Sequence, residues 1–335
     1  MSFITFGEIM LRLSPEAYAT KIGSSRSFTI GYAGSESNVA SSLGVLGNEV
    51  SYVTKLPQNP LGDAAVASLK SFGIDTTNIL RGGNRIGTYF IESGSSIRPS
   101  SVIYDRAGSA ISKLSGKELI WEKILEGRKW LFLSGITPAL SAQCAKETIK
   151  AAQTAKMLGV KVAFDMNYRR SLWQNPLDAR NIFDQILEHT DILFGNAGVL
   201  KDVYDFKLPG RHEEERTWDA ALKAHHTFGI PQLAFTIRKH ISASKNVVSG
   251  IHFSGSGQYH SSTYDVDIAD RLGTGDAFAA ACLHALHLEW KLQDVIDFGA
   301  AAFALKHTIK GDQHTSTENE ILSIAKGNIN GHVLR

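Results

Sequence analysis

The sequence predicts an α/β protein, a mostly parallel central sheet flanked by helices, with a small β-sheet set apart from it. Three observations carry that expectation. From about residue 118 onward, short apolar runs alternate with amphipathic helical stretches, the pattern of βαβ units. Segments 11–33 and 86–108 read instead as strands and turns, with helical stretches between them. Near the end, a glycine turn runs straight into the apolar segment Ala277–Leu283, which reads as a helix.

In chain order, Phe3-Ile4-Thr5-Phe6 reads as a first strand. Glu8 breaks this short apolar run, which lacks a basic n-region, so it reads as a strand and not as a signal peptide. Phe28-Thr29-Ile30-Gly31 and Gly87–Glu92 mark the separate sheet, a lid or a dimer surface, and helices follow Asn38 and Gly62. The runs Trp130–Gly135, Val160–Asp165, Asp191–Gly195 and Leu233–Thr236 read as strands, and the stretches near 141–158, 177–190 and 213–228 as helices. The strands end at Gly135, at Asp165 with Asn167 and Arg169 just beyond, at Asn196 and at Thr236. The carboxyl ends of strands in an open α/β sheet form its ligand crevice, so these polar residues locate a site.

Composition narrows the function. The 335 residues are 43% hydrophobic and 20% charged with a net charge of +2, ordinary for a soluble globular protein. No strongly basic face is implied, so nucleic acid is not an expected partner. No apolar run is long enough to span a membrane, and two cysteines, Cys144 and Cys282, fit a reduced cytoplasm better than a disulfide framework. His284 and His287 lie one helical turn apart, but no H-E-x-x-H or cysteine pair accompanies them, so no metal-ligating residues are assigned. The P-loop pattern G-x-x-x-x-G-K-[ST] is absent.

The segment Asp270-Arg271-Leu272-Gly273-Thr274-Gly275-Asp276-Ala277-Phe278 carries the most chemistry. Its glycines free the backbone to turn, so the N–H groups of Gly273, Thr274 and Gly275 can converge on one anion at a helix N-terminus. Asp276 stands on that turn. A carboxylate beside an anion cradle is what phosphoryl transfer to a hydroxyl requires: a base for the proton and donors for the developing charge. A first-turn Asp is also an ordinary dipole partner, and both readings stand on this segment alone. A dinucleotide-binding loop is disfavoured, because Phe278 occupies its third glycine position.

Two signatures then carry a family resemblance. Asp270–Asp276 resembles D-x-x-G-A-G-D with Thr274 in place of Ala, and Ala33-Gly34-Ser35-Glu36-Ser37-Asn38-Val39-Ala40 resembles G-G-x-x-x-N-x-A. With both at the right ends, the chain resembles the ribokinase-like (PfkB-type) carbohydrate kinases over nearly its whole length. Gly7–Pro15, Arg98–Arg106, Asp165–Arg169 and Lys306–Asp312 resemble the 2-keto-3-deoxygluconate kinase branch of that family.

The resemblance implies a single ribokinase-like domain over 1–335 with lid segments about 11–33 and 86–108. It implies transfer of the ATP γ-phosphoryl group, with Mg²⁺, to the terminal C6 hydroxyl of 2-keto-3-deoxygluconate. Asp276 would be the general base, kept ionised by the helix N-terminus, and Gly273, Thr274 and Gly275 the anion hole. Gly34, Asn38, Tyr89, Tyr104, Arg106, Arg169 and Asp312 would bind the sugar acid. Arg106 and Arg169 would take its carboxylate, since a neutral sugar would leave their charges without a partner. Arg169 has the alternative of meeting ATP phosphates, Asn38 that of capping a helix, and the tyrosines that of cross-strand packing. Asn167, Asn196, Thr236 and Arg238 would bind ATP. A homo-oligomer through the lid and a cytoplasmic location complete the expectation.

Two departures bear on it. Relatives with N-x-x-E after the strand ending at Gly195 have a glutamate where this chain has Val199, and the nucleotide loop T-x-G-x-x-G reads Thr236-Ile237-Arg238-Lys239-His240-Ile241. Two alternatives stay open: the same chemistry on 2-keto-3-deoxygalactonate or fructose, and a sugar-acid sensor without turnover.

Overall fold

Strands whose every residue is buried form the middle of the molecule. The computed structural model describes residues 2–255, 257–329 and 331. In order these form β1 (Phe3–Phe6), β2 (Met10–Pro15), β3 (Phe28–Ala33), α1 (Ser35–Val45), β4 (Val50–Leu56), α2 (Pro60–Ser71), β5 (Ile79–Arg81), β6 (Thr88–Glu92) and β7 (Ser101–Asp105). Next come α3 (Trp121–Ile124), β8 (Trp130–Ser134), α4 (Ala142–Met157), β9 (Lys161–Asp165), α5 (Pro176–Leu187), β10 (Ile192–Gly195), α6 (Ala197–Tyr204) and α7 (Glu213–Phe228). Last are β11 (Gln232–His240), β12 (Lys245–Ser254), β13 (Gly257–His260), β14 (Tyr264–Asp267), α8 (Thr274–His287), α9 (Leu292–His307) and α10 (Glu318–Ala325).

The main sheet has ten strands in the order β13-β12-β11-β10-β9-β8-β1-β4-β5, with β14 also paired to β12. Strands β5 through β11 along that order are parallel, and β12 to β14 add antiparallel pairs at one edge. Parallel strands covered on both faces need continuous apolar runs, and β1 and β8 are buried at every residue. One core cluster packs Phe3, Tyr52 and Phe132 against α1, α8 and α9; the other packs Phe6, Leu131 and Phe164 against α4 to α7. Helix starts follow local chemistry. Asn59, Ser141, Asn175, Asn196 and Thr317 each accept a backbone N–H of the first turn that lacks a helical acceptor.

The separate sheet has four strands in the order β3-β2-β6-β7. It leaves the main sheet through Gly7–Ile9 and returns through Gly34 into α1.

Two boundaries differ from expectation. Helix α1 begins at Ser35, so Asn38 lies in its first turn and Gly34 holds the cap position. Strand β11 continues to His240, paired with β12 from Asn246 to Ser254, so Thr236-Ile237-Arg238-Lys239-His240 is strand and not a loop. The β-branched Thr236 and Ile237 suit a strand, whereas a phosphate loop needs glycines that this segment lacks.

Candidate active site

The carboxyl ends of β9, β10 and β11 and the N-terminus of α8 enclose a cleft of about 530 Å³. Its walls include Asp165, Asn167 and Arg169 after β9, Asn196 after β10, Thr236 and Arg238 in β11, and the Arg271–Asp276 turn. All four residues expected to bind ATP therefore share one cavity with the glycine turn.

Gly273 has φ +72°, and a Cβ there would lie 1.8 Å from the Asp312 carbonyl oxygen, so both the turn and its backing require glycine. The first backbone bond closing α8 runs from Ala277 N–H to Gly273 O. The N–H groups of Thr274, Gly275 and Asp276 therefore have no helical acceptor and face the cleft with the positive end of the dipole. A Cβ on Gly275 would meet no protein atom within 4 Å, which leaves open space in front of these donors.

The Asp276 carboxylate is buried and held on both oxygens: Ser35 donates to Oδ1 at 2.7 Å, and Asn38 Nδ2 donates to Oδ2 at 2.7 Å. Asn167 Nδ2 in turn donates to Ser35 Oγ at 2.8 Å, so the end of β9 orients the hydroxyl that holds the Asp276 carboxylate. Burial pushes Asp276 up to about 7, opposed by the Asn38 and Ser35 hydrogen bonds and reinforced by the Asp165 and Asp312 charges. Burial thus opposes the ionised form that a helix N-terminus favours. Asn38 also accepts the N–H of the cap residue Gly34 on its Oδ1 at 3.4 Å, so its amide both ties down the start of α1 and holds Asp276. Asp165, likewise pushed up by burial, accepts from the Asn167 backbone at 3.0 Å.

The expected sugar-binding residues fall into separate groups. Tyr89 and Tyr104 are directly opposed across β6 and β7, ring centroids 6.0 Å apart, and the Arg106 guanidinium lies 5.4 Å over the Tyr104 ring. Arg106 is not an unpaired charge. Both Nε, at 2.8 Å, and Nη2 donate to Glu8 Oε2, and Glu8 is buried. The expectation that a neutral sugar would strand this charge is therefore corrected: Glu8 already balances it. Asp312 is similarly engaged. Arg12, on β2, donates Nη1 to Asp312 and Nη2 to Asp270 at 2.5 Å, and the Gly311 N–H also reaches Asp270. Tyr89 lies beside this cluster, and burial together with the Asp312 charge holds its phenol well above the usual range. Gly34 is explained by the protein itself, since a Cβ there would sit 1.9 Å from the Glu8 carbonyl oxygen. Arg169 is exposed and stands with the cleft residues, apart from Arg106.

Several contributors escaped the sequence reading. Ser35 and Glu8 lay inside quoted motifs without assigned roles. Arg12 had a legible signal, a charge within the apolar strand Met10–Leu13. Arg271 lines the cleft from within the glycine segment. Glu36 is fully buried and accepts from Ser134 and Thr137, each at 2.7 Å, beneath the junction of β1 and β8. His284 is satisfied by Asn48 and Glu318, each at 2.9 Å. Among the described residues no three His, Cys, Asp or Glu side chains gather as a metal site, and no helix is long and apolar enough to cross a membrane.

Comparison with known proteins agrees with this geometry. The family model for pfkB family carbohydrate kinases matches residues 2–319. A 2-dehydro-3-deoxygalactonokinase of Haloferax volcanii is 33% identical over 324 residues, covering 97% of this chain and 96% of its own. The crystal structure of a 2-dehydro-3-deoxygluconokinase from Thermotoga maritima superposes with a TM-score of 0.94 at 40% identity, covering 98% of each chain. A sugar kinase of Pyrococcus horikoshii solved in complex with ATP shares the fold, with a TM-score of 0.73 at 20% identity and coverage of 96% and 97%.

Proposed function

The chain belongs to the pfkB family of carbohydrate kinases, and from that premise we propose that it phosphorylates 2-keto-3-deoxygluconate at its terminal C6 hydroxyl, using ATP. The whole chain serves as one kinase domain, with the segments about 11–33 and 86–108 as its lid. The observation that carries the reading is Asp276: a buried carboxylate tuned to about 7, bordering an anion cleft and gripped by α1. A base works best with a pKa near the operating pH.

In the proposed step the C6 oxygen attacks the γ-phosphorus as its proton passes to an Asp276 oxygen. The bond from γ-phosphorus to the bridging oxygen breaks, and ADP leaves. Donors at Gly273, Thr274 and Gly275 take the charge on the transferring phosphoryl group, while Arg238, Thr236, Asn167 and Asn196 line the nucleotide side. The Asn196 carbonyl already caps α6 by accepting from Val199, which leaves its amide nitrogen for a ligand. Asp165 and the Asn167 amide oxygen are oxygen donors fitted to a hydrated Mg²⁺, which would neutralise phosphate charge. On the sugar side, Tyr89, Tyr104 and Arg106 form the lid's inner cluster, with Gly34, Asn38 and Asp312 below it and Arg169 toward the phosphates. The substrate carboxylate shares Arg106 with Glu8.

Identities of 33% to a galactonate-type kinase and 40% to a gluconate-type one support a 2-keto-3-deoxy sugar acid as the acceptor class. Ile30 and Ile103, exposed on the lid strands β3 and β7, support a homo-oligomer through the lid, and a cytoplasmic location belongs to the same proposal. A coupled ADP-release assay with ATP and Mg²⁺ tests the function on 2-keto-3-deoxygluconate, its galactonate epimer and fructose. Preferred turnover of 2-keto-3-deoxygluconate is expected. Preference for the epimer corrects the substrate, fructose alone overturns the acidic pocket, and binding without turnover returns the sensor.

A further inference from the structure

Three arginines border the cleft, and the protein neutralises none of them. Arg169 follows β9, Arg238 projects from β11, and Arg271 opens the glycine turn. Among the described residues, none of the three has a carboxylate within ion-pair distance. Arg238 Nη2 donates to Thr274 Oγ1 at 2.7 Å and its guanidinium lies 5.0 Å over the Phe303 ring, yet its Nε is buried without an acceptor. Arg271 Nε and Nη2 are buried without acceptors as well. The acids facing the cleft are committed elsewhere: Glu213 to Arg216, Asp165 to the Asn167 backbone, and Asp276 to Ser35 and Asn38. Burial and the charges of Arg271 and Arg169 lower Arg238 to about 10, the mark of cations gathered without an anion. His240, the remaining titratable group on this wall, is lowered by burial and by the Arg238 and Arg271 charges.

Forked donors of one sign around an open cavity, three of their N–H groups buried without an acceptor, are complementary to a multivalent oxyanion. Val199 also lines this cleft and brings no negative charge to offset them. We propose that Arg271, together with Arg238 and Arg169, forms a polyphosphate cradle that holds the nucleotide's phosphate chain even without a metal ion. This rests on the reading that a nucleotide occupies the cleft.

Calorimetric titration of the intact protein with inorganic tripolyphosphate, in EDTA and in Mg²⁺, tests it on the wild type, Arg271→Met and Arg271→Lys. The wild type is expected to bind tripolyphosphate in EDTA with an affinity of the same order as in Mg²⁺, weakening as salt rises. Arg271→Met should lose on the order of 10- to 100-fold in that affinity, and Arg271→Lys less. The apo melting temperature of Arg271→Met should be unchanged or raised, because no internal bond is lost and a repulsion is relieved. Equal affinity in Arg271→Met, or wild-type binding abolished by EDTA, overturns the cradle. No sugar enters the titration, so a wrong acceptor leaves this result standing. Normal turnover without tripolyphosphate binding sinks the cradle alone.

Discussion

Five arginines surround the proposed reaction centre, and they divide by how the protein treats them. On the lid side, Arg12 is bound to Asp270 and Asp312, and Arg106 to Glu8. On the nucleotide side, Arg169, Arg238 and Arg271 meet no carboxylate among the described residues. A charge that the chain itself neutralises is part of the architecture; a charge left open at a cavity is a request for a ligand. Arg12 shows the first kind. It ties a strand of the small sheet both to the residue that begins the glycine turn and to the residue whose carbonyl backs Gly273, so the small sheet and the glycine turn share one buried ion cluster.

The largest expected effect lies where the two regions meet. Asp276→Asn should lower kcat by about 10²–10⁴-fold, the range for a lost general base, while calorimetric sugar binding changes little. If kcat survives, the base is elsewhere and both regions need new roles. Next in size is the stability contrast. Arg12→Met strips two buried carboxylates of their cation and should cost about 3–5 kcal/mol of unfolding free energy, measured by denaturant titration. Arg238→Met, which loses one hydrogen bond and relieves repulsion, should cost about 1 kcal/mol or less. Equal losses in the two variants would erase the distinction between architectural and ligand-directed arginines.

Arg106 sharpens the contrast, because it is paired yet proposed to meet substrate. Arg106→Met should raise KM for the keto acid by about 10- to 100-fold and destabilise the protein by leaving Glu8 buried and alone. Glu8→Gln combined with Arg106→Met should restore much of the stability and none of the KM. Recovery of both would show that Arg106 acts only through its pair.

Much of this was legible in the residues. Fully buried parallel strands announce themselves as apolar runs, and the Gly273 turn announces an anion site because few other residues tolerate its backbone. What stayed hidden depends on contacts distant in sequence. Arg238 and Thr274 are far apart along the chain, and nothing local to Thr236–His240 shows that β12 continues the pairing through it. Glu8 and Arg106 lay in two separate motifs, and only folding reveals that each answers the other. The proton affinity of Asp276 is hidden for a related reason. The helix dipole can be read from sequence, but the burial that opposes it belongs to the assembled core.

That buried carboxylate yields the smallest and most diagnostic prediction. With Asp276 at about 7, kcat/KM should rise with pH through about 7 and then level, since the base must be ionised. Ser35 and Asn38 donate to the ionised form and hold the value down, so Ser35→Ala or Asn38→Ala should move that limb to higher pH by roughly one unit, the equivalent of one hydrogen bond. The same group contributes to stability with a definite sign. Its folded pKa lies above the unfolded value of 3.8, so the folded state holds the proton more tightly. The contribution is complete below about 4 and is lost as pH rises through about 7. Asp276→Asn removes this loss, and its melting temperature should gain on the wild type between pH 5 and pH 8. A gain that shrinks over that interval would mean that Asp276 is ionised well below neutrality, and the acid limb of activity would then belong to another group.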